Sequence, residues 1–321
     1  MIESRVGNTV QIIISAATLL LGALGLAYWA NKAQTDRSAF VGLYLLFGIP
    51  GGLMLVAGLA LLVNGNSVLG VLLLMVGLGL TLPLIPAVRA GLSEVLPLDP
   101  DSAIDMTGLC LVLAALGWFT ANSLTPMAAN PPDLSEIPSV TVTELVVQAA
   151  VFLAIAYIAV GFPYWRDLRQ ATTRLGIVIP DLRTIGMGLA GTVGAFLVAG
   201  LAGYLAQQLN PELGDSLNEI VDTMTAQVQN PLGAVILGAS AGIGEEAVFR
   251  GALQPRFGMV LPSLLFTMLH GPQYGFNVAL LGLFGVSMIL ALLRKHVNTT
   301  AAMIAHALYN AVQVLALSMI S

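Results

Sequence analysis

Gly244-Glu245-Glu246-Ala247-Val248-Phe249-Arg250-Gly251 sets two adjacent carboxylates and a guanidinium inside a run that is otherwise apolar. Such a run calls for helix embedded in lipid, where an ionisable side chain costs roughly 2.5–3.5 kcal/mol on insertion scales. Charges kept there mark a functional site, so the chain reads as a membrane bundle around a polar interior. Two more polar islands follow, Phe266-Thr267-Met268-Leu269-His270 and His306-Ala307-Leu308-Tyr309-Asn310, each within an apolar segment.

Composition agrees. Of 321 residues, 57% are hydrophobic and 9% charged, with a mean hydropathy of +0.89. A soluble domain carries about 25% charged residues. The expected fold is all-α, a polytopic transmembrane helical bundle. The net charge of -5 is spread over loops and forms no face for nucleic acid. A single cysteine, Cys110, excludes an internal disulfide and a cysteine-based zinc site; its apolar surroundings make it a small core residue. The first apolar run is too long for a signal peptide of the usual form and lacks a basic n-region.

A bilayer span needs about 20 apolar residues. Candidates are Thr9–Ala30, Ser38–Val63, Ser67–Ala90, Ile104–Leu124, Glu144–Trp165, Thr184–Gln207, Pro231–Arg250, Met259–His270, Gly275–Leu293 and Thr300–Ile320, about ten membrane segments. The eighth is short and ends at Gly271-Pro272. Numbering loops alternately puts Lys32, Arg37, Arg89, Arg166, Arg169, Arg174, Arg183, Arg256, Arg294 and Lys295 on one side. The other side receives only Arg5, with Asp133, Glu136, Glu212, Asp215, Glu219 and Asp222. Positive loops stay in the cytoplasm, so both termini are expected outside it, in a protein of the cell membrane. A re-entrant eighth segment would put Arg294 and Lys295 on the acidic side, which favours a crossing.

Residues 1–165 form an N-terminal transmembrane region without histidine or a buried charge pair. Residues 166–183 are a basic, proline-containing cytoplasmic linker, a hinge or an interfacial helix, and residues 184–321 hold the three polar islands. Pro126, Pro131, Pro132 and Pro138 mark an outer loop.

On a helix Glu246 and Arg250, four apart, stack on one face and can pair, while Glu245 points about 100° away. Two carboxylates side by side in low dielectric suit general acid–base work, and Arg250 offsets part of their repulsion. Gly238-Ala239-Ser240-Ala241-Gly242 provides a small-residue face on which another helix backbone can approach closely. Taken alone, the stretch reads equally as a Glu–Arg pair that locks helices together. At 1.5 Å per residue, Glu245 and His270 lie roughly 16–20 Å in from the basic side and His306 about 10 Å, depths that can converge. His306 and Asn310 present an imidazole and a carboxamide from one face, suited to the oxyanion formed when water attacks a carbonyl. His296, beside Arg294 and Lys295, is a solvated residue.

Glu245-Glu246-x-x-x-Arg250, Phe266-x-x-x-His270 and His306-x-x-x-Asn310, in this order on successive apolar segments, resemble the CPBP family. That family comprises intramembrane proteases related to the type II CAAX prenyl endopeptidase and to bacteriocin-processing or immunity proteins. The flanks GEEAVFRGALQPRFG, TAAMIAHALYN and RLGIVIPDLR look similar too, so the resemblance runs from about Arg174 to the C-terminus. It implies that Glu245 and His270 activate the attacking water and that His306 and Asn310 stabilise the oxyanion. Glu246 with Arg250 would shape and charge the site, and residues 184–321 would be the protease domain.

The expected activity is that of an intramembrane endopeptidase. It would hydrolyse a peptide bond of a membrane-associated peptide or protein near the cytoplasmic face, with CAAX-type and leader-peptide processing both open. The alternative is a non-catalytic membrane adaptor, immunity or transporter-like protein whose Glu–Arg–His cluster is a buried network or proton path. No cofactor is expected. Glu245, His270 and His306 could instead supply a divalent metal such as zinc with ligands, but a carboxamide is a poor zinc ligand. Asn310 has a reason for its place one turn from His306 if both are oxyanion donors.

Overall fold

The few polar residues of this chain punctuate its helices. Asp36 accepts from the N–H groups of Ser38 and Ala39, Asp181 from Thr184, Asn230 from Gly233 and Asn298 from Ala301, and Thr141 forms a reciprocal capping box with Glu144. Each satisfies backbone donors that the first turn of a helix leaves free. The structure, a computed structural model, describes residues 2–124 and 137–319, with side chains from Gln11 onward. The outer-loop residues Pro126, Pro131, Pro132, Asp133 and Glu136 lie outside the described residues, as does the Arg5 side chain.

The helices are α1 (Ile2–Lys32), α2 (Arg37–Val63), α3 (Ser67–Thr81), α4 (Pro86–Ser93), α5 (Ala103–Ser123), α6 (Val142–Ala159), α7 (Leu168–Leu175) and α8 (Leu182–Leu209). There follow α9 (Pro211–Thr225), α10 (Pro231–Ser240), π-helical turns over Ala241–Glu245 and Ala247–Leu253, α11 (Gln254–Phe257), α12 (Val260–Leu269), α13 (Gly271–Tyr274), α14 (Val278–His296) and α15 (Thr299–Leu317). Among the described residues nine helical stretches are long and apolar enough to cross a membrane, and Val260–Leu269 is a shorter apolar helix. The chain is a helical polytopic membrane bundle.

The third expected segment is broken, and prolines are the cause. Pro83 and Pro86 interrupt the N–H ladder between α3 and α4, leaving carbonyls without helical donors. Buried Arg89 takes up one such group, donating to the carbonyl of Pro83, and also donates to that of Pro100 ahead of α5, at 2.6 Å each. Lipid supplies no hydrophobic drive between helices, so close backbone contact does the holding. At Gly58 a Cβ would lie 2.9 Å from the Gly70 carbonyl oxygen, which lets α2 and α3 touch.

The short eighth segment matters most for the site. Helix α12 has ten residues, about 15 Å of rise against a hydrocarbon core of about 30 Å. Arg256, just before it, pairs with Asp105 in the first turn of α5. Gly271, just after it, abuts Ser123, the last residue of α5. The segment therefore runs alongside α5 from one end to the other. Phe249, Phe257, Leu265 and Phe266 pack with Leu109 and Val112 of α5 in one core cluster.

At one end the basic loops gather. Arg183 donates to the His296 carbonyl, Gln34 to the Ser102 hydroxyl, and Arg174 lies within electrostatic range of Arg166, Arg256 and Arg294. Helix α9, which carries Glu212, Asp215, Glu219 and Asp222, packs instead on α8 and α13. The linker folds as α7, closed by the Asp167–Gln170 capping box and by Gly176 at φ +70°.

Candidate active site

The first polar island departs from regular α-helix. Its turns are π-helical on both sides of Glu246, a wider winding that recurs as a local bulge at functional sites. Sequence spacing alone carries no sign of it. The widened turn still leaves Glu246 and Arg250 facing each other, with Arg250 Nε 3.1 Å from Glu246 Oε2 and neither side chain exposed. The contact is an ion pair without hydrogen-bond alignment, since both of those atoms lack a hydrogen-bond partner.

The second carboxylate oxygen is occupied as well. His306 Nδ1 donates to Glu246 Oε1 at 3.0 Å. A carboxylate only accepts, so Nδ1 carries the proton and Nε2 is the nitrogen free to act elsewhere. Nε2 donates to an oxyanion only when the ring is doubly protonated, and Glu246 balances the charge of that form. Arg250 is held further by Ser287 Oγ on α14, 2.9 Å from Nη2, and sits over the Phe266 ring with its guanidinium carbon 5.4 Å from the centroid. Gln254, one turn on, donates to the Ala291 carbonyl at 2.8 Å and ties the same segment to α14.

Phe266 is the hub that the sequence reading did not single out for chemistry. Its ring lies 5.1 Å from that of His270, 5.7 Å from that of His306 and 5.3 Å from that of Phe249, centroid to centroid. The two imidazoles thus sit against one aromatic ring. His270 Nδ1 donates to the Phe266 carbonyl at 2.9 Å, which leaves Nε2 of the neutral ring with a lone pair. On its other side His270 stacks on Tyr274 at an interplanar angle of 3°.

Glu245 differs from its neighbour. It keeps 7% exposure, against 0% for Glu246, and is within electrostatic range of Arg250 and His306. Among the described residues neither Glu245 nor Asn310 has a side-chain hydrogen-bond partner, and both carry accessible surface.

The expected small-residue face receives α15. A Cβ on Gly238 would collide with the Ala307 carbonyl oxygen, and one on Gly242 would lie 2.6 Å from that of Met303. These are the residues beside His306, so glycine at both positions lets α15 bring its imidazole to Glu246. Helix α6 closes the other side, with Ala149 and Phe152 against Gly244 and the Leu145 carbonyl accepting from Ser240 at 2.5 Å. Between α6 and α10 runs an apolar groove of about 290 Å³, lined by Ala149, Leu153, Ala239 and Ile243 among others.

Among the described residues no three His, Cys, Asp or Glu side chains are grouped so that they could hold a metal ion, and the one carboxylate bonded to His306 is also paired with Arg250. Ser287 was legible in principle, as the one hydroxyl between Val278 and Leu293.

No curated protein and no solved structure matched the chain. Residues 227–312, which contain Glu245, Glu246, Arg250, His270, His306 and Asn310, match the family model described as type II CAAX prenyl endopeptidase Rce1-like, and this segment is accordingly similar to that family.

Proposed function

We propose that this protein is an intramembrane endopeptidase that cleaves a membrane-associated peptide or protein with a glutamate-activated water. The family match supports a CAAX-type intramembrane protease. The observation that carries the finer reading is the division of labour between the two glutamates. Glu246 is sealed between Arg250 and His306, whereas Glu245, though buried, keeps 7% of its surface and among the described residues is bonded to neither.

The reaction uses the chain's own groups. Glu245 takes a proton from water while His270 Nε2, freed by the bond from Nδ1 to Phe266, accepts a hydrogen bond from it. The water oxygen attacks the scissile carbonyl carbon, and the carbonyl oxygen becomes the oxyanion. The Asn310 carboxamide and the protonated Nε2 of His306 donate to that oxyanion. Glu245 then returns its proton to the leaving amine as the carbon–nitrogen bond breaks. No step is routed through a metal. The apolar groove between α6 and α10, which reaches Ile243 two residues before Glu245, fits entry of a lipid-embedded substrate from the side.

Comparison of membrane peptidomes from cells carrying wild type and Glu245→Gln tests this reading. A set of peptides present only with wild type is expected. Identical peptidomes, with both proteins equally expressed, would leave the adaptor or transporter-like alternative.

A further inference from the structure

The arginines at the basic end outnumber the acids near them. Arg174, on α7, lies in the field of Arg256, Arg166 and Arg294, with Asp105 acting in the opposite sense, and the Arg294 guanidinium packs against Gly176, two residues on from Arg174. The others are engaged: Arg256 with Asp105, Arg294 Nε with the Arg250 carbonyl at 3.2 Å, and Arg166 with the Val160 carbonyl. Among the described residues the half-buried Arg174 guanidinium has no hydrogen-bond partner. Burial first, and then the charges of Arg256, Arg166 and Arg294, hold it below the usual range of an arginine. A guanidinium repelled by three neighbours and bonded to none is set for an incoming anion, and its planar fork matches two oxygens of a phosphate.

The surroundings name the source of that phosphate. Ile179 is 95% exposed and Leu182 89%, with Trp165 and Leu168 also exposed beside the arginines. Apolar and aromatic side chains projecting from the end of a membrane bundle sit at the boundary of acyl chains and headgroups. Basic pockets between helices at that level take anionic headgroups. We propose that Arg174, with Arg166, Arg256 and Arg294, forms a binding site for the phosphate of an anionic phospholipid headgroup.

Native mass spectrometry of the full chain in detergent tests the site, with dioleoyl phosphatidylglycerol and dioleoyl phosphatidylcholine as probes. Selective retention of phosphatidylglycerol, weakened by salt, is expected. Arg174→Gln should weaken it about tenfold or more, the worth of a charged hydrogen-bonded contact. Lys295→Gln removes the same charge from an exposed position and should retain the lipid. Equal retention of the two lipids, or equal loss in both variants, overturns the proposal. Inorganic phosphate alone that raises the wild-type melting temperature where phosphatidylglycerol does not would mean a free-phosphate site. Displacement of the lipid by a peptide with a free C-terminus, and not by its amide, would mean a substrate-carboxylate site; either overturns the lipid assignment. Should Arg174→Gln fail to fold, wild-type melting in phosphatidylglycerol against phosphatidylcholine decides, with a higher value in the former expected and no difference overturning the proposal.

Discussion

His306 donates through Nδ1 to one oxygen of Glu246, 3.0 Å away, while the other oxygen of that carboxylate faces Arg250. One fully buried glutamate therefore serves two cations or cation-forming groups, Arg250 on its own π-helical segment and His306 on α15, and joins the two elements. Removing Arg250 leaves the unexposed Glu246 carboxylate without its guanidinium. Arg250→Ala is expected to destabilise the protein by about 3–5 kcal/mol. Its lower melting temperature and yield in detergent would show this. The pair Glu246→Gln with Arg250→Met should regain stability without regaining cleavage, and an Arg250→Ala protein as stable as wild type would refute the account.

Ser287 donates no charge, yet it holds Arg250 Nη2 from α14. Ser287→Ala leaves a buried donor unsatisfied, a loss of about 1–3 kcal/mol. Ser287→Thr keeps the hydroxyl and should lie closer to wild type. Equal melting temperatures for Ser287→Ala and wild type would place the support of Arg250 elsewhere.

Asn310 separates catalysis from folding. Among the described residues its carboxamide has no hydrogen-bond partner, and it is partly exposed, so Asn310→Ala should leave the melting temperature unchanged. As one oxyanion donor it should lower kcat by about 10²–10³ with little change in KM. A change confined to KM would assign Asn310 to substrate binding.

Gly238 transmits the position of α15 to the site. Gly238→Leu puts a side chain where the Ala307 carbonyl lies and must push α15 away, taking His306 from Glu246. Cleavage should be lost even in preparations that remain monodisperse, and a fully active Gly238→Leu would show that α15 is free to shift without consequence.

Orientation is open to direct labelling. In a Cys110→Ala background, cysteines at Arg169 and Lys295 should label from the cytoplasm and one at Glu219 from outside. Labelling of all three from one side would sink the arrangement with both termini outside.

Phe266 and the Glu245–Glu246 pair show where reading a sequence stops. The pair was legible because carboxylates inside an apolar run are improbable without a task, and His270, His306 and Asn310 were legible for the same reason. The partner of Glu246 was half legible: Arg250 follows from spacing along one segment, and His306 does not, because sixty positions of chain separate the two. Phe266 was named in the motif with His270 but given no role, since an aromatic ring in a membrane segment carries no sign of what it will touch.

What the amino-acid sequence determined by itself was local and additive. Hydropathy over about 20 residues decides that a segment is helical in lipid, because no other structure satisfies the backbone there, and the loop charges decide which ends of the segments share a side. Tertiary structure alone decided which carboxylate is paired on both oxygens and which is left without a partner among the described residues, and which imidazole nitrogen carries the proton. It also decided that the short segment from Arg256 to Gly271 meets both ends of α5. Those outcomes depend on how closely α15 approaches Gly238 and Gly242 and on how the π-helical turns rotate Glu246, and such distances arise from packing between segments far apart in the chain.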